Sequence, residues 1–470
     1  MIQQIAKKEV KEMIREGRIK GLGIVLVVLV IASLLASYSY YRDVERQHRE
    51  ATIGQRALWE NQGAKNPHGA AHYGVFAFKP VSPLSVIEKG LDQYLGVSFF
   101  LEAHRQNHAE YRAIEDSNVL ARFGELSPGF VFVFLFPLLI IFLGFSAFTR
   151  ERESGTLKLI MSQGLSLPRL LIGKILGIWT VLAYFLLPLF LLGLAFVLYA
   201  SANPLEDLSR YGLIILFLLF YFAVFVNLSV CLSALCQRSN VALVSLIGLW
   251  IVSTMVAPKA TSFVASALQP LPSLAEFNSK LQFDLANGVD GHDPYNKFSA
   301  EFREKILKEY GVEDVADLPF NFTGLMLQVG EEHEKVVYDK HFSELRDKHK
   351  AQLAVYRASS IVSPTILIRQ VLMSMSRTDL EAYYHFANQA EDYRIQLMRE
   401  LNKDIEVNAS YGQVYIADAS LFASNSQFEY DPISIAESLN AAQSAMGLLI
   451  IWVLGSFVLA WIAASRLKVV

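Results

Sequence analysis

Apolar positions along the chain gather into six runs that approach the roughly 20 helical residues needed to cross a hydrocarbon layer of about 30 Å. They extend approximately from Gly21 to Tyr40, Pro128 to Phe148, Ile175 to Tyr199, Tyr211 to Leu235, Val241 to Val256 and Ala445 to Ala464, and none contains Asp, Glu, Arg or Lys. The fifth is the shortest. The first follows a basic stretch and closes on the small residues Ala36 and Ser37, but it is too long for the apolar core of a signal peptide and reads as a retained anchor.

Between and before these runs the pattern changes to a helical period with one apolar face. Near the start, Ile2, Ala6, Val10, Met13 and Ile14 line one side of a helix while Lys7, Lys8, Lys11 and Arg15 lie elsewhere, which predicts an interfacial helix over residues 1–20 lying on the membrane surface. Helical spacing recurs over Glu301 to Tyr310 and Val329 to Ser359. A further helix is predicted to begin at Thr378, where Glu381 stands at capping-box distance, with Tyr383, Phe386, Ala390, Tyr393 and Leu397 on its packed face.

Basic residues at the ends of the runs set an orientation. Arg18 and Lys20 precede the first, Arg150 and Arg152 follow the second, Arg238 follows the fourth, and Arg466 and Lys468 follow the sixth, so both termini are expected in the cytoplasm. Arg42, Arg46 and Arg49 fall on the far side, but they open a loop longer than the about 60 residues over which that rule holds. The expected organisation is a mainly α membrane protein of six transmembrane helices with two extracytoplasmic insertions. These cover residues 41–127 and 258–442, the larger being mostly helical and a domain in its own right, and residues 465–470 form a cytoplasmic tail.

Composition fits this class: 53% of the 470 residues are hydrophobic, more than a soluble core requires, and the net charge of -3 offers no basic field for nucleic acid. The two cysteines, Cys231 and Cys236, close an apolar run and can build neither a disulfide framework nor a four-ligand zinc site.

Motif chemistry narrows the function by elimination. Gly173-Lys174 is the nearest approach to a phosphate-binding loop, but Pro168 stands for its first glycine and Ile175 for its Ser or Thr. His333-Glu334 begins like a zinc protease helix, with Val337 where the second histidine belongs, and Gly144-Phe-Ser146 lacks the closing glycine of a nucleophile elbow. Spans without ionisable groups argue against a proton- or sodium-coupled carrier. His68 with His72, and His104 with His108, have the spacing of two ligands on one helical face, and His333, His341 and His349 form a third group; Gly69 weakens the first as a helix, and spacing alone assigns no metal site.

The segment between the second and third runs is the most informative. It leaves the membrane through Thr149-Arg-Glu-Arg-Glu-Ser154, breaks at Gly155, forms a short amphipathic helix over Thr156 to Met161, and starts a new helix at Ser166 and Pro168. Arg150-Glu-Arg-Glu-Ser-Gly-Thr-Leu157, followed by Ser162, Arg169 and Gly173-Lys174, resembles the signature of the ABC-2 type exporter permeases. That resemblance implies the type-2 exporter arrangement, a coupling loop over residues 149–174 and a short coupling helix that docks on a separate ABC ATPase. The docking residues it implies are Glu151, Glu153, Gly155, Thr156 and Leu157, within a coupling set completed by Ser162, Arg169, Gly173 and Lys174.

The resemblance further implies a multi-pass protein of the bacterial inner membrane, with a second permease chain as partner, identical or paralogous, and with ATP and magnesium held by the ATPase. The chain itself is then neither an enzyme nor a cofactor binder. Ser363-Pro364, Ser374, Thr378-Asp379, His385-Phe386 and Tyr393-Arg394 resemble a bacterial subfamily of these permeases whose large inserted domain has no assigned function; selecting cargo, capping the exit and meeting a periplasmic partner all stay open for it. A complex that performs mechanical or signalling work without transport remains the second reading, and a membrane enzyme the third.

Overall fold

Away from water an apolar run satisfies its backbone only by closing every hydrogen bond within itself, and each of the six runs folds as a helix. The computed structural model describes residues 1–110, 126–288 and 295–467, with backbone alone at 18, 19, 295 and 296. Lys468 and the Arg18 side chain, both expected to flank spans, lie outside the described residues. The chain opens with α1 (Ile2–Arg15), α2 (Gly17–Glu60) and α3 (Pro67–Tyr73). A three-stranded antiparallel sheet in the order β1-β2-β3 follows, from β1 (Val75–Phe78), β2 (Ser98–Glu102) and β3 (Arg105–Gln106).

Then come α4 (Pro128–Glu153), the short α5 (Thr156–Ser162), α6 (Leu167–Ala200), α7 (Pro204–Leu235) and α8 (Ser239–Leu268). The second insertion supplies α9 (Leu274–Asn287), α10 (Tyr295–Tyr310), α11 (Phe322–Ala358), α12 (Pro364–Met375) and α13 (Leu380–Asn408), and α14 (Ile435–Ser465) is the last helix among the described residues. Among the described residues, α2, α4, α6, α7, α8 and α14 are long and apolar enough to cross a membrane.

α7 is the axis of the bundle, packed along α14, α6, α4 and α12. Two wide helical turns mark where proline interrupts a span: Val131–Leu135 precedes Pro137 and Val252–Val256 precedes Pro258. A proline at 137 has no N–H to give the carbonyl of Val133. The buried Tyr221 hydroxyl donates to that carbonyl instead, at 2.8 Å.

The larger insertion is not separate from the bundle. α12 is almost wholly buried, and its Leu367, Ile368, Val371, Leu372 and Met375 belong to the same core as the spans. Thr365 at its start meets Tyr221 at 3.1 Å, while Ser374 near its end accepts from Arg210 at 3.4 Å. Those partners on α7 lie about 16 Å apart at about 1.5 Å per residue, so the chain dips into the bundle before α12 and climbs back along it. Trp452 on α14 donates to the Ser360 carbonyl at the bottom of the dip, at 3.0 Å. Ser360 and Ser363 are buried there, the Ser363 hydroxyl donating to the Ser253 carbonyl, while Ile361 and Val362 between them are exposed.

A second core sits under the first insertion, where Trp59, Ala70, Val75, Phe99 and Leu101 pack on Phe386, Ala390 and Leu397 of α13. The expected aromatic face of that helix is therefore a packing face, with Tyr383 and Tyr393 at its edge. Its N-cap is Asp379, whose carboxylate accepts from the Ala382 N–H at 2.9 Å, and not Thr378, whose hydroxyl donates to the Glu88 carbonyl at 3.0 Å. α3 forms in spite of Gly69, because Pro67 opens it and the Asn66 side chain accepts the Gly69 N–H at 3.1 Å.

Candidate functional site

The charged residues that leave the second span tie its end to neighbouring helices. Phe148 N–H donates to Ser233 Oγ at 2.9 Å, and the Thr149 and Ser239 hydroxyls lie 2.9 Å apart. Arg152 donates to the Ala234 and Cys236 carbonyls at the end of α7, where backbone acceptors are unpaired and the helix dipole favours a cation. Glu153 does the converse for α8: its carboxylate accepts from the Ser239 N–H at 2.7 Å and hydroxyl at 2.8 Å, capping that helix from outside.

The turn that follows requires glycine, since Gly155 sits at φ 71°, in the left-handed region. α5 then buries Leu157 (3% exposed) against the bundle and turns Leu159 (60% exposed) outward. Gly155, Thr156, Ser162 and Arg169 are exposed beside it. A short helix anchored by one leucine and showing another has the form of a contact plate.

Glu151, whose carbonyl accepts from the Thr156 hydroxyl of α5 at 3.4 Å, belongs to an ion cluster. Lys174 on α6, 1% exposed, holds Glu9 of α1 at 2.9 Å and Glu151 at 3.0 Å; Lys8 meets the same two carboxylates at 3.3 and 2.8 Å. Glu12 also reaches Lys8, at 3.4 Å; the two buried carboxylates, Glu9 and Glu151, share the buried Lys174 and the partly exposed Lys8, so neither is left out of water without a partner. Burial alone would raise the Glu9 carboxyl, but Lys174 and then Lys8 outweigh it and hold the group below the usual carboxylate range. Burial likewise opposes the charge on Lys8, and Glu9 and Glu151 outweigh it to raise that amine.

α1 reaches this cluster because α6 offers no side chain where the helices cross. A Cβ on Gly173 would lie 2.6 Å from Ile5 Cγ2, and one on Gly177 would lie 2.7 Å from Glu9 Cβ. Arg150 adds a clasp to Glu16, just past the end of α1, at 2.7 Å.

Of the nine residues expected to couple, the structure thus brings Glu151, Gly173 and Lys174 together inside, uses Leu157 as an anchor, leaves Gly155, Thr156, Ser162 and Arg169 on the surface, and gives the exposed Glu153 to α8. Sequence reasoning missed Lys8 as a partner, and Glu9, Gly177 and Leu159 altogether. Glu9 had a signal: it falls three residues after Ala6 and four before Met13, inside the apolar face. Gly177 stands four after Gly173, the spacing at which small residues let helices approach.

At the opposite end of the bundle a second cluster locks the large insertion. Arg210, wholly buried, holds Glu206 at 3.0 Å, Ser438 Oγ at 2.9 Å and the Ile433 carbonyl at 2.6 Å, while Arg377 pairs with Asp207 at 2.8 Å and Glu206 at 2.9 Å. Nearby, a cavity of about 800 Å³ opens between α8, α11, α12, α13 and α14, edged by Arg346, Lys350, Arg357, Arg369, Glu381 and Glu437. On α7 the Asn227 amide donates to Ser456 Oγ at 3.1 Å in a helix contact, and Ser229 is buried as well.

The histidines separate into different roles. His68 and His72 join His104, whereas His108 packs between Phe277 and Phe342. His333 stacks on Phe298, His341 bonds to Asp284 and His349 to the Tyr384 hydroxyl.

Residues 3–466 match the sequence profile described as ABC-2 family transporter protein. No curated protein matches the chain.

Proposed function

The chain belongs to the ABC-2 family of transporter proteins, and from that membership we propose that it is the permease subunit of an ATP-driven exporter in the bacterial inner membrane. It is a multi-pass membrane protein and a transmembrane component of a transporter. In this reading both termini are cytoplasmic, two permease chains, identical or paralogous, pair within the lipid, and two ATPase chains bind ATP and magnesium beneath them. The permease contributes the path and the mechanical linkage, without chemistry of its own.

The observation that carries the reading is the exposed plate of α5, whose Thr156 hydroxyl donates to the Glu151 carbonyl at 3.4 Å, beside the cluster in which the buried Glu151, Lys174 and Glu9 meet the partly exposed Lys8. A displacement of α5 by the ATPase pulls on Glu151 and through it on α6 and α1 together, because an ion cluster out of water resists separation. Gly155, Thr156, Leu159, Ser162 and Arg169 form the docking face in this scheme. Glu151, Leu157, Gly173 and Lys174 transmit, and Glu153 passes the movement to α8. The cavity above α12, within the usual range of about 300–1,000 Å³ for small-molecule sites, is where cargo would leave. Its apolar walls and charged rim suit an amphipathic molecule.

The test is affinity purification of the chain from its native membrane in mild detergent, with ATP hydrolysis assayed on the complex. A P-loop ATPase in stoichiometric amount is expected, and Leu159→Asp should release it without reducing membrane insertion. Absence of any ATPase sinks the proposal. A second reading, mechanical work on the large insertion without transport, draws on α12 being packed into the bundle core, since bundle movement would then reach the external domain directly. Strong ATP turnover without any translocated cargo would select it.

A further inference from the structure

The hairpin between β2 and β3 and the helix α3 come from different stretches of the first insertion, yet they bring three imidazoles into one group. One ring nitrogen from each of His68, His72 and His104 lies within 4.8 Å of the others. The Nε2 atoms of His68 and His72 are 3.1 Å apart. Four ligands at the about 2.0–2.1 Å usual for zinc and imidazole stand about 3.3 Å from one another in a tetrahedron, so this pair already has the separation of two ligands on one ion.

The third histidine is held as a metal ligand is held. His104 occupies the hairpin turn at φ 61°, a conformation uncommon outside glycine that persists only where neighbours enforce it. Here the enforcing neighbour is Glu331, buried on α11. Its Oε1 accepts the His104 N–H at 2.7 Å and lies 3.1 Å from His104 Nδ1, and Oε2 of Glu334 stands 3.4 Å from the same ring nitrogen. Arg394, 1% exposed, fixes Glu331 from behind at 2.9 Å and donates to the Glu102 carbonyl at the foot of the hairpin at 3.1 Å. With Nδ1 committed to carboxylates, Nε2 is the nitrogen left to turn toward His68 and His72. A carboxylate on the far nitrogen is the usual way a ligating histidine is oriented and made more basic.

We propose that His68, His72 and His104 form a binding site for a divalent transition-metal ion of the zinc class, with Glu331 and Glu334 as the orienting carboxylates. Three imidazoles suit zinc and its late first-row neighbours and reject magnesium or calcium, which take oxygen ligands. His72 is exposed, which gives the ion a way in, and a fourth position is left for water or another ligand. The site lies where the two insertions meet, so an ion there would fasten α3 and the hairpin to α11.

The experiment uses the full chain in detergent, purified through a tag that contains no histidine and stripped with a chelator. Cobalt(II) is titrated in as a spectroscopic probe and displaced with zinc, and retained zinc is counted after desalting. One ion per chain is expected. His72→Ala, an exposed change that leaves the packing intact, should weaken binding by at least tenfold, and the double variant His68→Ala/His72→Ala should abolish it. Glu334→Gln should weaken it about 10–100-fold, as the loss of an orienting partner does, while His349→Ala should bind as the unaltered chain does. No zinc retained after desalting, or binding that the double variant keeps, overturns the proposal.

Discussion

Replacing Lys174 by Met tests whether the buried ion cluster is what holds α1 to the bundle. The change keeps an unbranched side chain, one heavy atom shorter, and removes its charge, leaving Glu9 and Glu151 facing each other with only Lys8 between them. Breaking a buried pair costs about 3–5 kcal/mol because the remaining charge is stranded. Lys8 stays in place and its side chain is 42% exposed, which relieves part of that cost and favours the lower figure. About 3 kcal/mol corresponds to a more than hundredfold rise in the open population. Amide exchange over α1, followed by mass spectrometry on the protein in lipid discs, should accelerate by that factor while exchange in the core of α7 stays slow. Adding Glu151→Gln removes the stranded charge and should recover part of the protection, a coupling of about 0.5–3 kcal/mol between neighbouring sites. Unchanged exchange in the single variant, or strictly additive effects in the pair, would refute the claim that the cluster is a unit.

Three further outcomes follow from the same geometry. Gly173→Leu should push α1 off α6 through Ile5, at a cost of at least about 1–3 kcal/mol, and should reduce ATPase stimulation in the assembled complex; full coupling in that variant would mean that α1 is not part of the linkage. Because the Glu9 carboxyl is depressed in the folded chain, its contribution to docking is complete above the ordinary value near 4.5 and is lost only as the pH falls below it toward the folded value. A nitroxide at position 11 should therefore keep the same mobility from pH 7 to pH 5 and loosen at lower pH, and loosening above pH 5 would contradict the assignment. Arg210→Met should remove the bonds to Ser438 Oγ and the Ile433 carbonyl, leave Glu206 paired with Arg377 alone, and lower the thermal unfolding midpoint of the detergent-solubilised chain, at a cost below the about 3–5 kcal/mol of a buried pair broken outright; a midpoint within error of the parent would show that the cluster does not fasten α14.

The spans were legible because each run is uniformly apolar over its whole length, and the coupling helix because Gly155 breaks the pattern on one side and Ser166 with Pro168 restarts it on the other. α12 was not. Its twelve residues are too few to cross a membrane and include Arg369 and Gln370, so hydropathy places it with the external domain, and only packing against α7 and α14 reveals it as part of the bundle. The ion cluster was illegible for a different reason. Its paired members stand up to 165 positions apart, and charge pairing over that separation has no local signature. The His68–His72 pair could be read from spacing, whereas its third member comes from a hairpin turn that no periodicity announces.

The placement of α12 also bears on how the molecule can be made and altered. A span bundle assembled in chain order would have α2, α4, α6, α7 and α8 together with a slot beside α7 still vacant, and that slot is filled only once the segment up to Met375 has been made. Completion of the bundle therefore waits on the segment between α8 and α14. For the same reason the large insertion cannot be excised as a module, because cutting it away would leave the Tyr221 hydroxyl without its Thr365 partner and an opening in the interior of the bundle, at the place where a transporter most needs to remain sealed.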